Sequence, residues 1–166
     1  EVARRRLFED FAGRRLQDAA AMAQALRVLD ADTARNDAGW NLVKIVLAER
    51  FTQTLEVALL AMENLCDSHS IRIVNIALKS KDKRQVARAR EALTNIANSA
   101  LGSQLSQLLL VASDHTAALE AVPEAANFAS AADALAWCAN HVDLWLKQCA
   151  QHALTAAADH QCRTTC

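Results

Sequence analysis

The residue types best suited to chemistry are the cysteines and histidines near the end of the chain. Two pairs are three residues apart, Cys138 with His141 and Cys149 with His152. Residues three apart share one face of a helix, and thiolates and imidazoles in a tetrahedral arrangement suit zinc. The spacing matches no familiar zinc module, and buried cysteine often serves as a small hydrophobic residue. We therefore predict no metal and no cofactor, and we keep these four residues as the ones that would bind zinc if a site existed.

Catalytic motifs are not recognisable in this sequence. A covalent mechanism needs a nucleophile, a base and an oxyanion hole brought together, and no glycine-rich turn accompanies any cysteine. A nucleotide-binding loop needs several closely spaced glycines, whereas the chain has only Gly13, Gly39 and Gly102. The sequence predicts a protein that is not an enzyme.

A basic segment in the middle of the chain is the second candidate for function. Residues 72–90 contain seven Lys and Arg and one Asp, a net charge of +6, whereas residues 91–166 have a net charge of −5. One interpretation is a solvated helix face, and the other is a surface for an acidic protein, an anionic membrane or a nucleic acid. Aromatic residues do not interleave with the basic ones, which disfavours single-stranded nucleic acid. The candidate binding residues are Lys79, Lys81, Lys83, Arg84 and Arg88.

The composition predicts an all-α fold. Hydrophobic residues make up 52% of the chain, but there are only 3 Gly and 1 Pro, too few for the turns of a β-sandwich or barrel. No apolar run approaches the roughly 18–20 residues of a membrane-spanning helix, so we expect no transmembrane segment. The net charge of −1 indicates no particular partner.

Two long helices are predicted first, over residues 2–29 and from residue 40 to residue 65. The second has apolar residues at alternating spacings of three and four, which is the pattern of one buried helical face. We expect this face to lie in the core of the protein rather than in a coiled coil. Its residues are Trp40, Val43, Leu47, Phe51, Leu55, Ala58, Met62 and Leu65.

Two shorter helices are predicted next, over residues 68–79 and 82–98, with Asp82 capping the second. We expect Ile73 and Ile76 to widen the buried face of the first helix. A break is predicted at Ser99–Gly102. Because isolated helices shorter than about 12–15 residues are marginal in water and the linker is short, these two should pack antiparallel against each other and against neighbours.

An internal repetition supports this interpretation. When Asp82 is superimposed on Asp143, Ala89 falls on Ala150 and Leu93 on Leu154. Repetition of this kind is typical of helical repeat proteins, although the offset of 61 residues exceeds one ordinary repeat.

The run from Leu60 to Leu109 resembles the HEAT-like repeat region of bacterial proteins related to ATP/ADP carrier-type, major-facilitator-like transporters. The matching segments are LCDSHSI, the linker from Leu78 to Asp82, AREALTNI and GSQLSQLL, and VDLWLKQCAQHAL resembles a later Trp-containing helix of that group. The likeness covers about half the chain. It implies a HEAT-like α-solenoid of antiparallel helical hairpins that belongs to a larger transporter-related membrane protein.

From these observations we expect one HEAT-like domain over residues 1–158 and a polar tail over residues 159–166. Its expected function is that of a non-enzymatic interaction or regulatory module with a protein partner. The alternative is a binder of an anionic ligand, lipid surface or nucleic acid through the basic helix 79–90. Five cysteines, an odd number, suit a reducing compartment, so we expect a cytoplasmic location, with membrane association through other domains of the parent. Because the sequence opens with Glu1, we expect a segment of a longer protein.

Overall fold

The protein is helical throughout the part that the structure, a computed structural model, describes: residues 2–33, 37–65, 68–80, 82–94, 99–113 and 126–164. No strand occurs in these ranges, which confirms the all-α prediction. The seven helices found there are α1 (Val2–Ala31), α2 (Ala38–Met62), α3 (Ser68–Ser80), α4 (Lys83–Thr94), α5 (Ser99–Ser113), α6 (Ala131–Ala139) and α7 (Leu144–Thr164).

Helices α1 and α2 form a long hairpin on which the other helices pack. The apolar face predicted for α2 is buried from Trp40 to Met62, and only Leu65, just beyond the helix, is partly exposed. Val46 and Leu59 are also buried, so α2 is covered on more than one side. The prediction of a core helix is confirmed, because its neighbours belong to the same chain.

Helices α3 and α4 form the predicted hairpin and contact each other. The Arg84 backbone N–H donates to Asp82 Oδ1 at 2.9 Å, which confirms Asp82 as the cap of α4. The prediction that Ile76 is buried was wrong, because this residue is 52% exposed. Ile73 is only partly buried. The second apolar edge of α3 faces a groove rather than the core.

Helix α5 begins where a break was predicted. Its first residue is Ser99, and Gly102 lies buried inside it, so the predicted break at Ser99–Gly102 is wrong. A Cβ added to Gly13 of α1 would lie 3.7 Å from Leu101 Cδ2, which places α5 against α1. Packing of this kind favours helix at a position where glycine alone would disfavour it.

Helices α6 and α7 form a second short hairpin, and each begins at a capping side chain. Ser130 Oγ accepts from the Asp133 N–H at 3.2 Å, and Asp143 Oδ1 accepts from the Leu146 N–H at 2.9 Å. The backbone of α7 continues to Thr164. The helix therefore does not end at the expected boundary between residues 158 and 159.

The two groups of short helices flank α2 on different sides. Lys79 of α3 contacts Glu56 of α2, whereas Asp143, next to α7, contacts Arg50, and Ala153 of α7 approaches Gly39. At 100° per residue, Glu56 lies roughly 100–120° around α2 from Arg50 and Gly39. Helices α1, α2, α7 and α6 contact one another in a ring, and helices α1, α2, α3 and α5 form a second ring that shares α1 and α2 with the first. Helix α4 packs on α3 and α5, outside the second ring.

None of the helices in the described ranges combines the length and the apolar character that crossing a membrane requires.

Candidate docking surface on helices α3 and α4

The basic residues of α4 lie opposite its buried face. Val86, Ala89 and Leu93 are buried against α3 and α5. Arg84 and Arg88, four residues apart, are exposed on the other side and lie one above the other on the helix. This arrangement follows from the sequence alone, because the spacing of the apolar residues determines which side of α4 meets the core.

A shallow groove runs between α3 and α4. It has a volume of about 260 Å³ and is lined by Ile73 and Ile76 of α3 and by Gln85 and Arg88 of α4. Its surface is therefore mostly apolar, with one guanidinium at the edge. We call these four residues, together with the exposed Arg84, the α3–α4 groove.

The cations around the groove differ in how far they are already paired. Lys79 Nζ lies 3.4 Å from Glu56 Oε1, and Arg90 Nε donates to Ser106 Oγ at 3.1 Å. In the described part of the chain, no carboxylate lies within ion-pair distance of Arg72, Lys83, Arg84 or Arg88. The predicted residues Lys83, Arg84 and Arg88 are thus exposed and available to an anionic partner, and Lys81 lies outside the described residues.

The four predicted zinc candidates are not arranged as a metal site. Cys138 and Cys149 are buried without a disulfide, whereas His152 is exposed. The ring of His141 packs against that of Trp137 with centroids 4.9 Å apart and the planes tilted by 59°, and its Nδ1 accepts from the Asp143 backbone N–H at 3.0 Å. Across the described residues, no three His, Cys, Asp or Glu side chains are grouped so that they could hold an ion.

Burial controls the titration of this cluster. It raises the pKa of the Cys138 thiol to about 12. It also raises the pKa of Cys149, with a further contribution from the Asp143 carboxylate. Burial lowers the pKa of His141, against the opposing effect of the Asp143 and Asp18 carboxylates. Raised thiol pKa values disfavour the thiolate that a nucleophile or metal ligand requires.

A charged cleft next to His141 was not predicted. Its volume is about 360 Å³, and its charged residues are Arg15 and Asp18 of α1, Arg50 of α2, and Asp143 before α7. No local pattern marks these residues, because they are brought together from three distant segments. Only the contacts of α1, α2 and the α6–α7 turn create the cleft.

The charges in the cleft largely neutralise one another. Arg15 Nη1 lies 3.3 Å from Asp18 Oδ2, and Arg50 Nε lies 3.1 Å from Asp143 Oδ2. The second contact is too poorly aligned for a hydrogen bond, so it is an ion pair only. Arg50 Nη1 also donates to Gln53 Oε1 at 2.6 Å. The pair of Arg50 with Asp143 holds the start of α7 against α2, whereas the other two contacts lie within α1 and within α2. We interpret all three as structural.

Comparison with known proteins adds no relative. No protein-family model matches the chain, and no curated protein and no solved structure matches it either. The resemblance to the HEAT-like region of transporter-related proteins therefore remains a prediction, and the surface chemistry of α3 and α4 is the basis for a functional conclusion.

Proposed function

We propose that this chain is a non-enzymatic interaction module that binds an acidic, amphipathic segment of a partner protein in the α3–α4 groove. The observation that carries the proposal is that exposed Arg88 lines the groove with the apolar side chains of Ile73 and Ile76, and that exposed Arg84 lies one helical turn away. Neither arginine has an ion-pair partner among the described residues. The apolar residues offer area that a partner can bury. The arginines favour carboxylates at the edge and disfavour basic competitors.

The groove fits a protein segment better than a bare polyanion. A nucleic-acid backbone needs a row of cations but gains nothing from an exposed isoleucine, and the groove carries no aromatic residue on which a base could stack. An amphipathic segment uses both features, because it presents apolar side chains on one face and charges beside them.

The proposal includes the wider context expected from the sequence. The α3–α4 hairpin and the resemblance support a HEAT-like α-solenoid, in which such hairpins display binding rows. By the same resemblance, the chain is proposed to be an accessory domain of a larger transporter-related protein, acting in the cytoplasm. The buried, unpaired Cys138 and Cys149 are compatible with a reducing compartment.

Fluorescence anisotropy with synthetic peptides tests the proposed function. The probe is a labelled helical peptide of about 15 residues with leucines along one face and glutamates elsewhere. The comparison peptide has lysine in place of every glutamate. We expect the acidic peptide to bind and the basic peptide not to bind. Binding should weaken as salt screens the arginine–carboxylate contacts.

Variants of the groove identify the site. Arg84→Glu/Arg88→Glu should weaken binding about tenfold or more, since two attractive contacts become repulsive. Ile76→Ser should weaken it several-fold through lost apolar burial, and its exposure means that the fold should tolerate the change. Arg6→Glu/Arg14→Glu, two exposed arginines on α1, is the control with the same change in net charge. It should leave the affinity nearly unchanged.

Two results would overturn the proposal. One is equal weakening by the groove variant and the α1 control, which would reduce the binding to a net-charge effect. The other is failure to bind the acidic peptide while binding duplex DNA or phosphatidylserine vesicles through Arg84 and Arg88. That second result would favour the alternative function, an anionic-ligand binder.

A further inference from the structure

The beginning of α1 is not covered by the rest of the chain. Residues 2–7 are all exposed, and Phe8 is the first side chain of α1 that packs against the core. Val2 is 69% exposed, Leu7 63% and, one turn further, Phe11 37%. Single exposed apolar residues are ordinary, whereas three large ones on the same short stretch of helix indicate a contact surface. We call residues 2–18 the leading half of α1.

Arginines outnumber acids in the leading half of α1. Residues 2–18 contain five Arg and three acids, a net charge of +2. Two pairs are neutral, because Arg5 lies 3.2 Å from Glu9 and Arg15 lies 3.3 Å from Asp18. The other charges have no ion-pair partner among the described residues, and they are Arg4, Arg6, Arg14 and Asp10. Three unpaired cations against one unpaired carboxylate favour an anionic partner.

A cavity of about 540 Å³ lies beside these arginines. Its described lining residues are Val2, Arg4, Arg5 and Phe8 of α1 with Asn64 and Leu65, just after α2. No carboxylate is among them. The guanidinium carbon of Arg4 lies 5.8 Å from the centre of the Phe8 ring, and the contact with Glu9 uses only the Nε of Arg5, one of five N–H donors. Guanidinium groups beside apolar walls suit an anionic group that carries an apolar chain.

The directions of the exposed apolar side chains favour a fluid partner over a folded one. At 100° per residue, Val2 and Leu7 lie about 140° apart around the helix axis. A groove on a protein covers one face of a helix, so it does not bury both side chains. A nucleic-acid backbone would contact the arginines and leave both side chains in water. A lipid interface surrounds what enters it, so it buries both while the arginines reach the phosphates.

We infer that the leading half of α1 docks on the surface of an anionic phospholipid membrane. Val2 and Leu7 enter the interface, and Arg4 and Arg5 hold a lipid phosphate in the cavity. The helix lies on the membrane and does not cross it. The docking surface shares no residue with the α3–α4 groove, so the inference goes beyond the proposed function and stands or falls separately from it.

Cosedimentation of the full chain with lipid vesicles tests the inference. We expect binding to vesicles of about one-third phosphatidylserine in phosphatidylcholine, and little binding to phosphatidylcholine alone, since each arginine near an anionic surface strengthens binding about fivefold. Binding should weaken in about 0.5 M salt, where the Debye length is only a few ångströms. Equal binding to both kinds of vesicle would overturn the inference.

Two variants with the same change in net charge locate the surface. Arg6→Glu/Arg14→Glu should weaken vesicle binding at least tenfold and leave binding of the acidic peptide unchanged. Arg84→Glu/Arg88→Glu should show the reverse, with vesicle binding close to that of the wild type. Equal loss of vesicle binding in both would reduce it to a net-charge effect and overturn the inference, whereas peptide binding reports on the groove alone.

A matched pair of apolar variants tests insertion. Leu7→Ser should weaken vesicle binding several-fold through lost apolar burial. Ile45→Ser removes a residue 66% exposed on α2 and should bind like the wild type. Both side chains are exposed, so the fold should tolerate both changes, and circular dichroism checks this. Equal vesicle binding by the two variants would contradict the insertion of α1.

The cavity is tested by two arginines that both lack an ion-pair partner among the described residues. Arg4 lines the cavity and Arg14 does not. Arg14→Gln should weaken vesicle binding by about fivefold at most, and Arg4→Gln by about tenfold or more, because it also loses a hydrogen-bonded phosphate. Equal effects would overturn the assignment of the phosphate to the cavity.

A soluble competitor distinguishes a membrane lipid from a free phosphate. Glycerol 3-phosphate at about 10 mM, far above the level that would fill a site of micromolar affinity, should not release the protein from vesicles. It carries the phosphate of a lipid but offers nothing that Val2 and Leu7 can bury. Complete release would show that the cavity binds a free phosphate, and it would overturn the inference of a membrane surface.

Discussion

Asp143 links the start of α7 to α2 through two separate contacts. One carboxylate oxygen accepts from the Leu146 N–H at 2.9 Å, and the other lies 3.1 Å from Arg50 Nε. Both side chains are 28% exposed, so water screens the pair less than it screens an exposed one. Removal of the carboxylate should therefore cost more than the loss of an ordinary helix cap.

The chain contains a matched comparison in Asp82. Asp82 caps α4 through the Arg84 N–H at the same distance, 2.9 Å, but it has no ion pair among the described residues. Asp82→Ala should lower the free energy of unfolding by about 1 kcal/mol, the usual value of a cap. Asp143→Ala should lower it by about 2 kcal/mol, because about 1 kcal/mol of ion-pair energy is lost as well.

Asparagine substitutions separate the two contributions. An asparagine oxygen can still accept the capping hydrogen bond, so Asp82→Asn should cost only a few tenths of a kcal/mol through the helix dipole. Asp143→Asn should cost about 1 kcal/mol. Urea unfolding measures these differences, and for a chain of this size each kcal/mol lowers Tm by about 2–4 °C.

A double-mutant cycle of Asp143→Asn with Arg50→Gln gives the pair energy directly. It also cancels the loss of the contact between Arg50 and Gln53, which both arginine variants share. We expect a coupling of about 1 kcal/mol. A coupling near zero, or equal costs for Asp143→Asn and Asp82→Asn, would refute the reasoning and leave α7 held to α2 by apolar packing alone.

Three further predictions follow from burial. Acidification from about pH 7.5 to pH 5 should destabilise the wild type through His141. The pKa of His141 in the folded protein lies below the usual 6.5. Its contribution to stability is therefore present above the pKa of the unfolded chain and is lost as the pH falls through the pKa of the folded protein. Urea unfolding at both pH values should show this loss reduced in His141→Asn but unchanged in exposed His152→Asn. Cys138, with its pKa raised to about 12, should be alkylated by iodoacetamide at pH 8 only after unfolding, as mass spectrometry of the labelled peptide would reveal; equal labelling of native and unfolded protein would contradict its burial. Phe51→Ala should lower the free energy of unfolding by about 3–5 kcal/mol, because Phe51 is 1% exposed; a cost below about 1 kcal/mol in urea unfolding would contradict its place in the core.

The internal repetition illustrates how far a local pattern extends. Asp82 and Asp143 both cap a helix, and Ala89 and Ala150 are both buried. The correspondence then fails, because Leu93 is 2% exposed and Leu154 is 37% exposed. Capping depends on residues within one turn, whereas the burial of a side chain further along depends on which helix lies next to it.

The exposed side chains of the molecule were predictable to different degrees. The spacing of apolar residues on α4 was enough to place Arg84 and Arg88 on its exposed side. The exposure of Ile76 was not predictable, since the spacing on α3 favours burial equally well on either edge. Val142, Leu144 and Trp145, around the start of α7, are also exposed. Their exposure was not predictable either, because an apolar residue at the start of a helix is usually covered by a neighbour.

The sequence by itself determined the helical class, the buried face of α2, the α3–α4 hairpin and the capping role of Asp82. These properties depend on backbone propensity and on periodicity within a few turns of helix. Only the tertiary structure decided that α5 begins at Ser99, that Arg15, Arg50 and His141 share a cleft, and which apolar edges stay open. The physical reason is that burial is a property of pairs of helices: a periodic pattern identifies the face that can be covered, and the packing of distant segments decides what covers it.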